Sequence, residues 1–240
     1  MNAIEIRGLT KRFKARTAVD HLDLTVSQGE CFALLGANGA GKTTTVRMLC
    51  GLTAPTEGDA LVMGHSIRGA LNEVKRVLSV SPQETAVAPR LTVRENLMLM
   101  ARLHGLSDVE GRAERLMAAL SLTERSKERA GKLSGGWQRR LSIAMALVSE
   151  PQVLFLDEPT LGLDVRARRE LWQLIERLRG QMTVVLTTHY LEEAEAMADR
   201  IGVMSAGRMV ALGTAEQIRQ NAGANTLEDA FLALTEEVGA

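Results

Sequence analysis

Two hydrophobic patterns recur along the chain, and together they predict an α/β fold. Residues 4–9 and 22–26 alternate apolar and polar side chains, which is typical of half-buried strands. Residues 31–35, 153–157 and 182–188 are almost continuously apolar, as in strands buried on both faces of a parallel sheet. Shorter strands are predicted over residues 59–63 and 77–80, and a hairpin over residues 201–204 and 209–212.

A helical pattern occupies the middle of the chain, from residue 91 to about residue 149. Thr92 stands three residues before Glu95, which is a capping box at the start of a helix. A second helix is predicted over residues 108–120 and a third after Ser134. This block predicts a subdomain inserted between strands. Residues 10–16 are predicted as a loop, and the tail over residues 215–237 as helical and amphipathic.

A glycine-rich loop follows the strand at residues 31–35 and precedes a helical segment. Residues 36–43, Gly-Ala-Asn-Gly-Ala-Gly-Lys-Thr, fit the pattern G-x-x-x-x-G-K-[ST]. Its glycines permit positive φ, and the backbone N–H groups and helix N-terminus attract an anion. Lys42 would reach the β- and γ-phosphates, and Thr43 would ligate Mg²⁺. The ordinary alternative is a glycine-rich turn, but the flanking strand and helix favour nucleotide binding.

Polar side chains follow two of the buried strands. Asp157 and Glu158 end one strand, at the edge where open α/β sheets bind ligands. Asp157 can hold Mg²⁺ there, and Glu158 is placed to polarise a water that faces the γ-phosphate. His189 ends another strand at the same predicted edge, which makes it a candidate γ-phosphate contact.

Three further features are ambiguous when each is taken alone. Phe13, a lone aromatic among cations, is either local packing or a stacking face for a purine. Gln83 follows a strand and is either an exposed loop residue or a group that reaches a metal or water. Ser134, ahead of Gly135 and Gly136, is either an ordinary N-cap or part of a second anion-binding helix N-terminus.

Composition narrows the class of protein. The chain has 240 residues, 29 Lys+Arg and 29 Asp+Glu, so no global basic field indicates a nucleic-acid partner. No apolar run is long enough to span a membrane, and the first residues lack the build of a signal peptide. Cys31 and Cys50 fit no metal-ligand spacing and are expected to be buried free thiols in a reducing cytosol.

In combination, these motifs resemble the ATP-binding subunit of ABC transporters over essentially the whole chain. The segments at residues 91–97, 187–193 and 227–231 further resemble the ABC-2 exporter branch, whose members move drugs, polysaccharides, lipids or lipo-oligosaccharides outward. The fifth signature residue, usually Gln, is Trp137, and Phe13 stands where Tyr is more frequent. The matching motifs are Walker A (36–43), the Q-loop (Gln83), the signature (133–136), Walker B with the catalytic glutamate (153–158), the D-loop (162–164) and the switch histidine (His189).

The resemblance implies a P-loop NTPase fold with a RecA-like core, an antiparallel β subdomain and an inserted α-helical subdomain. Residues 1–240 would form a single ATP-binding domain. Its core and β subdomain would span residues 1–83 and 150–215, its helical subdomain residues 84–149, and its C-terminal helical tail residues 216–240.

The resemblance also implies a Mg²⁺-dependent ATPase that binds each ATP between two chains arranged head to tail. The implied catalytic residues are Glu158 as general base, His189, Gln83 and Lys42. The implied nucleotide-binding residues are Phe13, Gly36, Asn38, Gly39, Gly41, Lys42, Thr43 and Thr44. Ser134, Gly135, Gly136 and Asp164 would contact the nucleotide of the partner chain, and Thr43, Gln83 and Asp157 would hold Mg²⁺.

The implied partners are a second ATPase subunit, as a homodimer or a paired ABC subunit, and a separate transmembrane permease, with no nucleic acid. The expected location is cytoplasmic, peripheral on the inner face of the cell membrane. An alternative is a soluble ABC ATPase acting on ribosomes or DNA, but the chain has one Walker A and one signature motif and no room for a coiled-coil insertion. A P-loop kinase or GTPase would leave Ser134 and His189 unexplained.

Overall fold

The computed structural model describes residues 1–236, which contain ten strands and nine α-helices. The strands are β1 (Asn2–Phe13), β2 (Arg16–Ser27), β3 (Cys31–Leu35), β4 (Glu57–Val62), β5 (His65–Ser66), β6 (Leu78–Ser81), β7 (Val153–Asp157), β8 (Thr183–Thr188), β9 (Arg200–Ser205) and β10 (Arg208–Gly213). The helices are α1 (Lys42–Leu49), α2 (Leu71–Val77), α3 (Val93–Leu103), α4 (Val109–Ala119), α5 (Gly135–Leu147), α6 (Val165–Leu178), α7 (Leu191–Met197), α8 (Ala215–Asn221) and α9 (Leu227–Glu236). Two short 3₁₀ helices span Thr123–Arg125 and Ala130–Lys132.

Six strands form one sheet in the order β10-β9-β3-β8-β7-β6, in which β10 pairs antiparallel with β9 and all the other pairs are parallel. The central strands β3, β8 and β7 are buried along their whole length, as their apolar sequences predict. Leu35 pairs with Thr188, and Asp157 pairs with Thr187. The C-terminal ends of these three strands therefore lie side by side, and the chain segments that leave them meet at one edge.

A second, antiparallel sheet in the order β2-β1-β4-β5 packs on one face of the first. Its buried residues Ile4, Val19 and Val62 share a cluster with Phe32 of β3 and Met48 of α1. A larger cluster on the other face joins the parallel sheet to α3, α4, α5 and α6. The predicted α/β architecture, with a parallel core and an antiparallel sheet, is confirmed.

The helical segment between β6 and β7 begins as predicted. The Thr92 hydroxyl accepts a hydrogen bond from the Glu95 amide, and the Glu95 carboxylate accepts one from the Thr92 amide, so the capping box is formed. Buried residues of α3 and α4 such as Leu97 and Met117 lie in the same cluster as α5 and the sheet. Within residues 1–236, no helix has the length and apolar character that crossing a bilayer requires.

One local prediction is wrong. Residues 10–13 were expected in a loop, but they continue β1, because their backbone pairs with β2 across a turn at Lys14 and Ala15. The tail is helical, as predicted, and it contains two helices, α8 and α9, separated by a turn at Gly223, whose φ is 63°. The predicted end of the tail at residue 237 lies outside the described residues.

Candidate active site

The loop between β3 and α1 needs glycine at specific positions. A Cβ added to Gly36 would lie 2.5 Å from the Met204 carbonyl oxygen, and one added to Gly41 would lie 2.6 Å from the Ala18 carbonyl oxygen. Gly41 also has φ of 111°, a conformation that L side chains rarely adopt. These close approaches hold the loop against β9 and β2, and they leave its N–H groups and the N-terminus of α1 to bind an anion.

Lys42 occupies a buried position at the start of α1. Its ammonium donates hydrogen bonds to the carbonyl oxygens of Gly36 (2.7 Å) and Ala37 (3.3 Å). It also lies 3.3 Å from the Glu158 carboxylate, and both side chains are only 5% exposed. Because this ion pair is shielded from solvent, the electrostatic attraction between Lys42 and Glu158 is strong. An incoming phosphate would compete with Glu158 for Lys42.

A cleft of about 520 Å³ opens above this loop. Phe13 stands at its rim with 49% of its surface exposed, and the Lys11 ammonium lies 4.9 Å from the centre of its ring. Gln83 reaches the same cleft from the segment after β6. The lining residues are Phe13, Arg16, Ala18, Asn38, Gly39, Gly41, Lys42, Thr43, Thr44, Gln83 and Glu158.

Oxygen atoms from three elements meet beside Lys42. The Thr43 hydroxyl of α1 donates to Asp157 at 3.2 Å, and the Thr187 hydroxyl of β8 donates to the same carboxylate oxygen at 2.5 Å. In the part of the chain that the structure describes, no cluster of three or more His, Cys, Asp or Glu side chains forms a metal cage. A hydroxyl beside one carboxylate at a phosphate-binding loop nevertheless suits Mg²⁺, which is held by few protein oxygens together with phosphates and water.

Glu158 has an unusual backbone conformation. Its φ of 49° lies in the left-handed region, which costs a non-glycine residue about 1–3 kcal/mol. Its amide donates to both the carbonyl and the hydroxyl oxygen of Thr187, at 3.1 and 3.0 Å, which stabilises this turn. The turn directs the carboxylate between Lys42 and His189, whose Nδ1 lies 2.8 Å away. When Nδ1 donates to this carboxylate, Nε2 remains for another partner.

The predicted partner-contact residues lie apart from this cleft. Ser134, Gly136 and Asp164 line a second cleft of about 240 Å³ that shares no lining residue with the first. Ser134 precedes α5 but makes no capping hydrogen bond, whereas Asp164 caps α6 by accepting from the Ala167 amide at 2.8 Å. The structure therefore does not bring Ser134 and the Lys42 loop to one site within the chain.

Trp137, the departure in the signature motif, lies between two cations. The guanidinium carbons of Arg125 and Arg140 are each 4.5 Å from its ring centre. Arg140 also bonds the carboxylate of Glu170 in α6. Trp137 thus packs into its own chain through cation–π contacts, which fix the side of α5 next to Ser134.

Three residues near the site were missed by the sequence analysis. Arg16 lines the first cleft and donates to the Gly39 carbonyl at 3.3 Å. Thr187 positions Asp157 and Glu158 through hydrogen bonds of its hydroxyl. Arg139 of α5 donates to the carbonyl oxygens of Pro82 and Gln83, although burial lowers the pKa of its guanidinium. Thr187 could have been found as a polar residue ending an apolar strand, but nothing in the sequence distinguishes Arg139 from Arg140.

Comparisons with known sequences identify similar proteins. The profile of the family described as ABC transporter matches residues 19–161. A daunorubicin/doxorubicin resistance ATP-binding protein of Streptomyces peucetius is 43% identical over 228 residues, covering 94% of this chain and 69% of that protein. A Nod factor export ATP-binding protein of Burkholderia lata is 42% identical over 214 residues, covering 88% of this chain and 70% of that protein. Other relatives are much longer, since the chain covers 24% of the ABC transporter A family member 2 of Arabidopsis thaliana.

Solved structures of the same architecture are also similar. The ATP binding subunit of an ABC transporter has a TM-score of 0.86 and 29% identity, with 97% of this chain and 99% of that chain covered. A dimeric ATP-binding cassette in a post-hydrolysis state, bound to ADP and phosphate, has a TM-score of 0.79 and 25% identity, with 88% and 98% covered. The expected P-loop ATPase fold is thereby confirmed.

Proposed function

The chain belongs to the ABC transporter family, and we propose that it drives export through a separate transmembrane permease. It is an ATP-binding domain that hydrolyses ATP. The export proposal is supported by two relatives that are named for daunorubicin/doxorubicin resistance and for Nod factor export. The observation that supports ATP hydrolysis as the source of energy is the group formed by Lys42, Glu158 and His189 beside the glycine loop.

The nucleotide would lie in the cleft above the glycine loop. Phe13 would stack on adenine, since its ring is exposed at the rim. The loop amides and Lys42 would bind the phosphates, with Lys42 exchanging its contact to Glu158 for the γ-phosphate. The residues proposed to contact this nucleotide are Phe13, Gly36, Asn38, Gly39, Gly41, Lys42, Thr43 and Thr44.

Magnesium would be held by Thr43 and Gln83, with Asp157 acting directly or through water. The fit rests on the Thr43–Asp157 hydrogen bond and on the position of Gln83 in the same cleft. When bound, the ion would neutralise charge on the phosphates during hydrolysis. Thr187 would orient Asp157 for this task, because it donates to the same carboxylate oxygen as Thr43.

Hydrolysis would depend on Glu158 as the general base. Its carboxylate would accept the proton of the attacking water, an effect worth about 10²–10⁴-fold in rate. His189 would orient Glu158 through Nδ1 and present Nε2 to the γ-phosphate. Little covalent chemistry is asked of the protein, because phosphoryl transfer depends mainly on positioning and charge stabilisation.

A second copy, or a paired ABC subunit, would complete each site. Ser134, Gly135, Gly136 and Asp164 would contact the nucleotide held by the partner's glycine loop. This arrangement is supported by the separation of the two clefts and by the Ser134 side chain, which is not used as a cap. The helical segment over residues 84–149 would carry Ser134 and, between Gln83 and about Leu103, the contact with the permease. The chain would then work on the cytoplasmic face of the membrane, without nucleic acid.

Purification of the tagged protein from gently solubilised membranes tests the proposed function. Glu158→Gln, which should hold ATP without turnover, would be purified beside the wild type with and without ATP. The expected result is stoichiometric recovery of one polytopic membrane protein. Recovery from the soluble fraction alone, with ribosomes or nucleic acid attached, would contradict the export proposal and support the soluble ATPase class.

A further inference from the structure

Buried polar atoms without hydrogen-bond partners concentrate at one place in residues 1–236. They are the Thr160 hydroxyl, the Arg168 Nε, the Trp172 Nε1 and both carboxylate oxygens of Glu193. Thr160 follows Glu158 by two residues, and Arg168 and Trp172 belong to α6. Glu193 belongs to α7. Polar groups buried without partners are rare in folded proteins, so a cluster of them calls for an explanation.

Glu193 is the centre of this cluster. It is fully buried, with 0% exposure, on the first turn of α7. Burial raises the pKa of its carboxyl, while the nearby donors of Thr188, Thr160 and Trp172 lower it and the charge of Glu158 raises it further. The carboxyl therefore faces both the segment that follows β7 and the segment that follows β8.

A role in helix capping does not account for Glu193. At the third position of α7 it could have accepted from the Tyr190 amide in a capping box. That amide instead donates to the Thr188 hydroxyl at 3.0 Å, and α7 has no side-chain cap. A surface ion pair is excluded by burial, and within the described residues no cation lies within salt-bridge distance of Glu193.

The two segments that Glu193 faces carry the hydrolytic groups. Thr160 lies in the turn that begins with Glu158 and ends with Asp164, whereas Thr188 immediately precedes His189. Glu158 and His189 contact each other directly at 2.8 Å, and the Glu158 amide also donates to Thr187 at the end of β8. Neither Glu193 oxygen has a hydrogen bond of good geometry, but the Thr160 and Thr188 hydroxyls lie near enough to lower the pKa of its carboxyl, so this buried acceptor with two oxygens is suited to bind one hydroxyl from each segment.

We propose that Glu193 is a positioning residue for hydrolysis, which holds the Glu158 turn against the His189 segment through the hydroxyls of Thr160 and Thr188. This inference rests on the proposed roles of Glu158 and His189. Glu193 is buried behind the cleft residues and would act without touching the nucleotide, by fixing the angle at which Glu158 meets the attacking water. Small errors of placement at a reacting centre are costly in rate.

Steady-state ATP hydrolysis by Glu193→Gln tests this proposal. The amide keeps the shape of the side chain but replaces one of its two acceptor oxygens by an NH₂ group that can only donate. We expect kcat to fall about tenfold or more while KM for ATP and its Kd change less than about twofold. The matched control is Glu192→Gln on the same helix, whose side chain is 83% exposed and which should behave as wild type.

Two further variants separate positioning from a structural role. In a Glu158→Gln background, Glu193→Gln should lower the residual rate no further, because it acts through Glu158. Thr160→Val, which keeps the side-chain shape and removes the hydroxyl, should lower kcat without changing KM. If Glu193→Gln does not fold, the kcat of Thr160→Val tests the proposal in its place. Wild-type kcat in either single variant, or equal losses of ATP binding and kcat, would overturn the proposal. A wild-type protein without ATPase activity would instead contradict the proposed function.

Discussion

Replacing Glu158 by Gln removes the charge between the two groups that would handle the γ-phosphate. In the wild type its oxygens lie 3.3 Å from the Lys42 ammonium and 2.8 Å from His189 Nδ1. The amide keeps the volume of the side chain, so the surrounding packing should persist. The variant loses both the general base and the ion pair with Lys42. The first loss should lower turnover, whereas the second should leave ATP affinity equal or higher.

The expected loss of turnover is large. General-base catalysis contributes about 10²–10⁴-fold, which corresponds to about 3–5 kcal/mol in the activation barrier. ATP affinity should not fall, because Lys42 no longer has to leave a carboxylate. At 3.3 Å the gross attraction of that pair is about 5 kcal/mol at an effective dielectric constant of about 20, most of it offset by desolvation. ATP should therefore bind at least as tightly as in the wild type.

Phosphate release, ATP titration and size-exclusion chromatography with ATP measure these effects. Glu150→Gln is a matched control, because Glu150 also has a left-handed backbone, with φ of 52°, but is exposed and paired with Arg112. The control should hydrolyse ATP normally, whereas Glu158→Gln should accumulate as an ATP-dependent dimer. Wild-type turnover in Glu158→Gln would refute the assignment of the base, and weaker ATP binding would refute competition for Lys42.

Three other expectations follow from the geometry. Phe13→Ala should raise the Kd for ATP about tenfold, and Phe13→Tyr should restore it, since base–aromatic stacking is worth about 1–3 kcal/mol; equal Kd values in a titration with fluorescent nucleotide would contradict stacking. Gly36→Ala should lower the midpoint temperature of unfolding by about 2–10 °C and impair ATP binding, because the added Cβ would lie 2.5 Å from the Met204 carbonyl oxygen. An unchanged midpoint in thermal unfolding would contradict this. Cys31 and Cys50 should resist iodoacetamide at about pH 8 until the protein unfolds, because burial raises the pKa of both thiols to about 12 and keeps them protonated. Alkylation of the folded protein, detected by mass spectrometry, would contradict this.

The parallel core was predictable because its strands are short, solidly apolar and end in polar residues. Asp157, Glu158 and His189 could be placed at the ligand edge on that ground alone. The order in which the strands pair could not be predicted from the sequence, because all the buried strands have similar apolar patterns. That β8 stands between β3 and β7, so that Thr187 meets Asp157, is a consequence of long-range packing.

Helices α2, α6 and α7 were not predicted, and they differ in how clear their sequence patterns are. α6 carries Leu171, Leu174, Ile175 and Leu178 at helical spacing, so its sequence pattern is sufficient to predict a helix. α2 and α7 have seven residues each, too few for a periodic pattern to be distinctive. Their helical form depends on contacts with the rest of the fold.

Buried charges were the hardest feature to predict. Arg139 and Glu193 each stand among other charged residues in the sequence, which favours an exposed face. The structure buries Arg139 at 4% exposure and Glu193 at 0%. Only the packing of α5 and α7 against neighbouring segments decides which charge in such a run is enclosed.

Mixing two inactive variants tests most directly whether each catalytic site is shared between two chains. Glu158→Gln lacks the base, and Ser134→Ala lacks the proposed contact to the partner's nucleotide. In a head-to-tail dimer of one of each, one site retains both groups. Equal amounts mixed before ATP is added should therefore recover about a quarter of wild-type ATPase activity, because half of randomly formed dimers contain one intact site of two. No recovery, from variants that each still bind ATP and form dimers, would contradict the shared site.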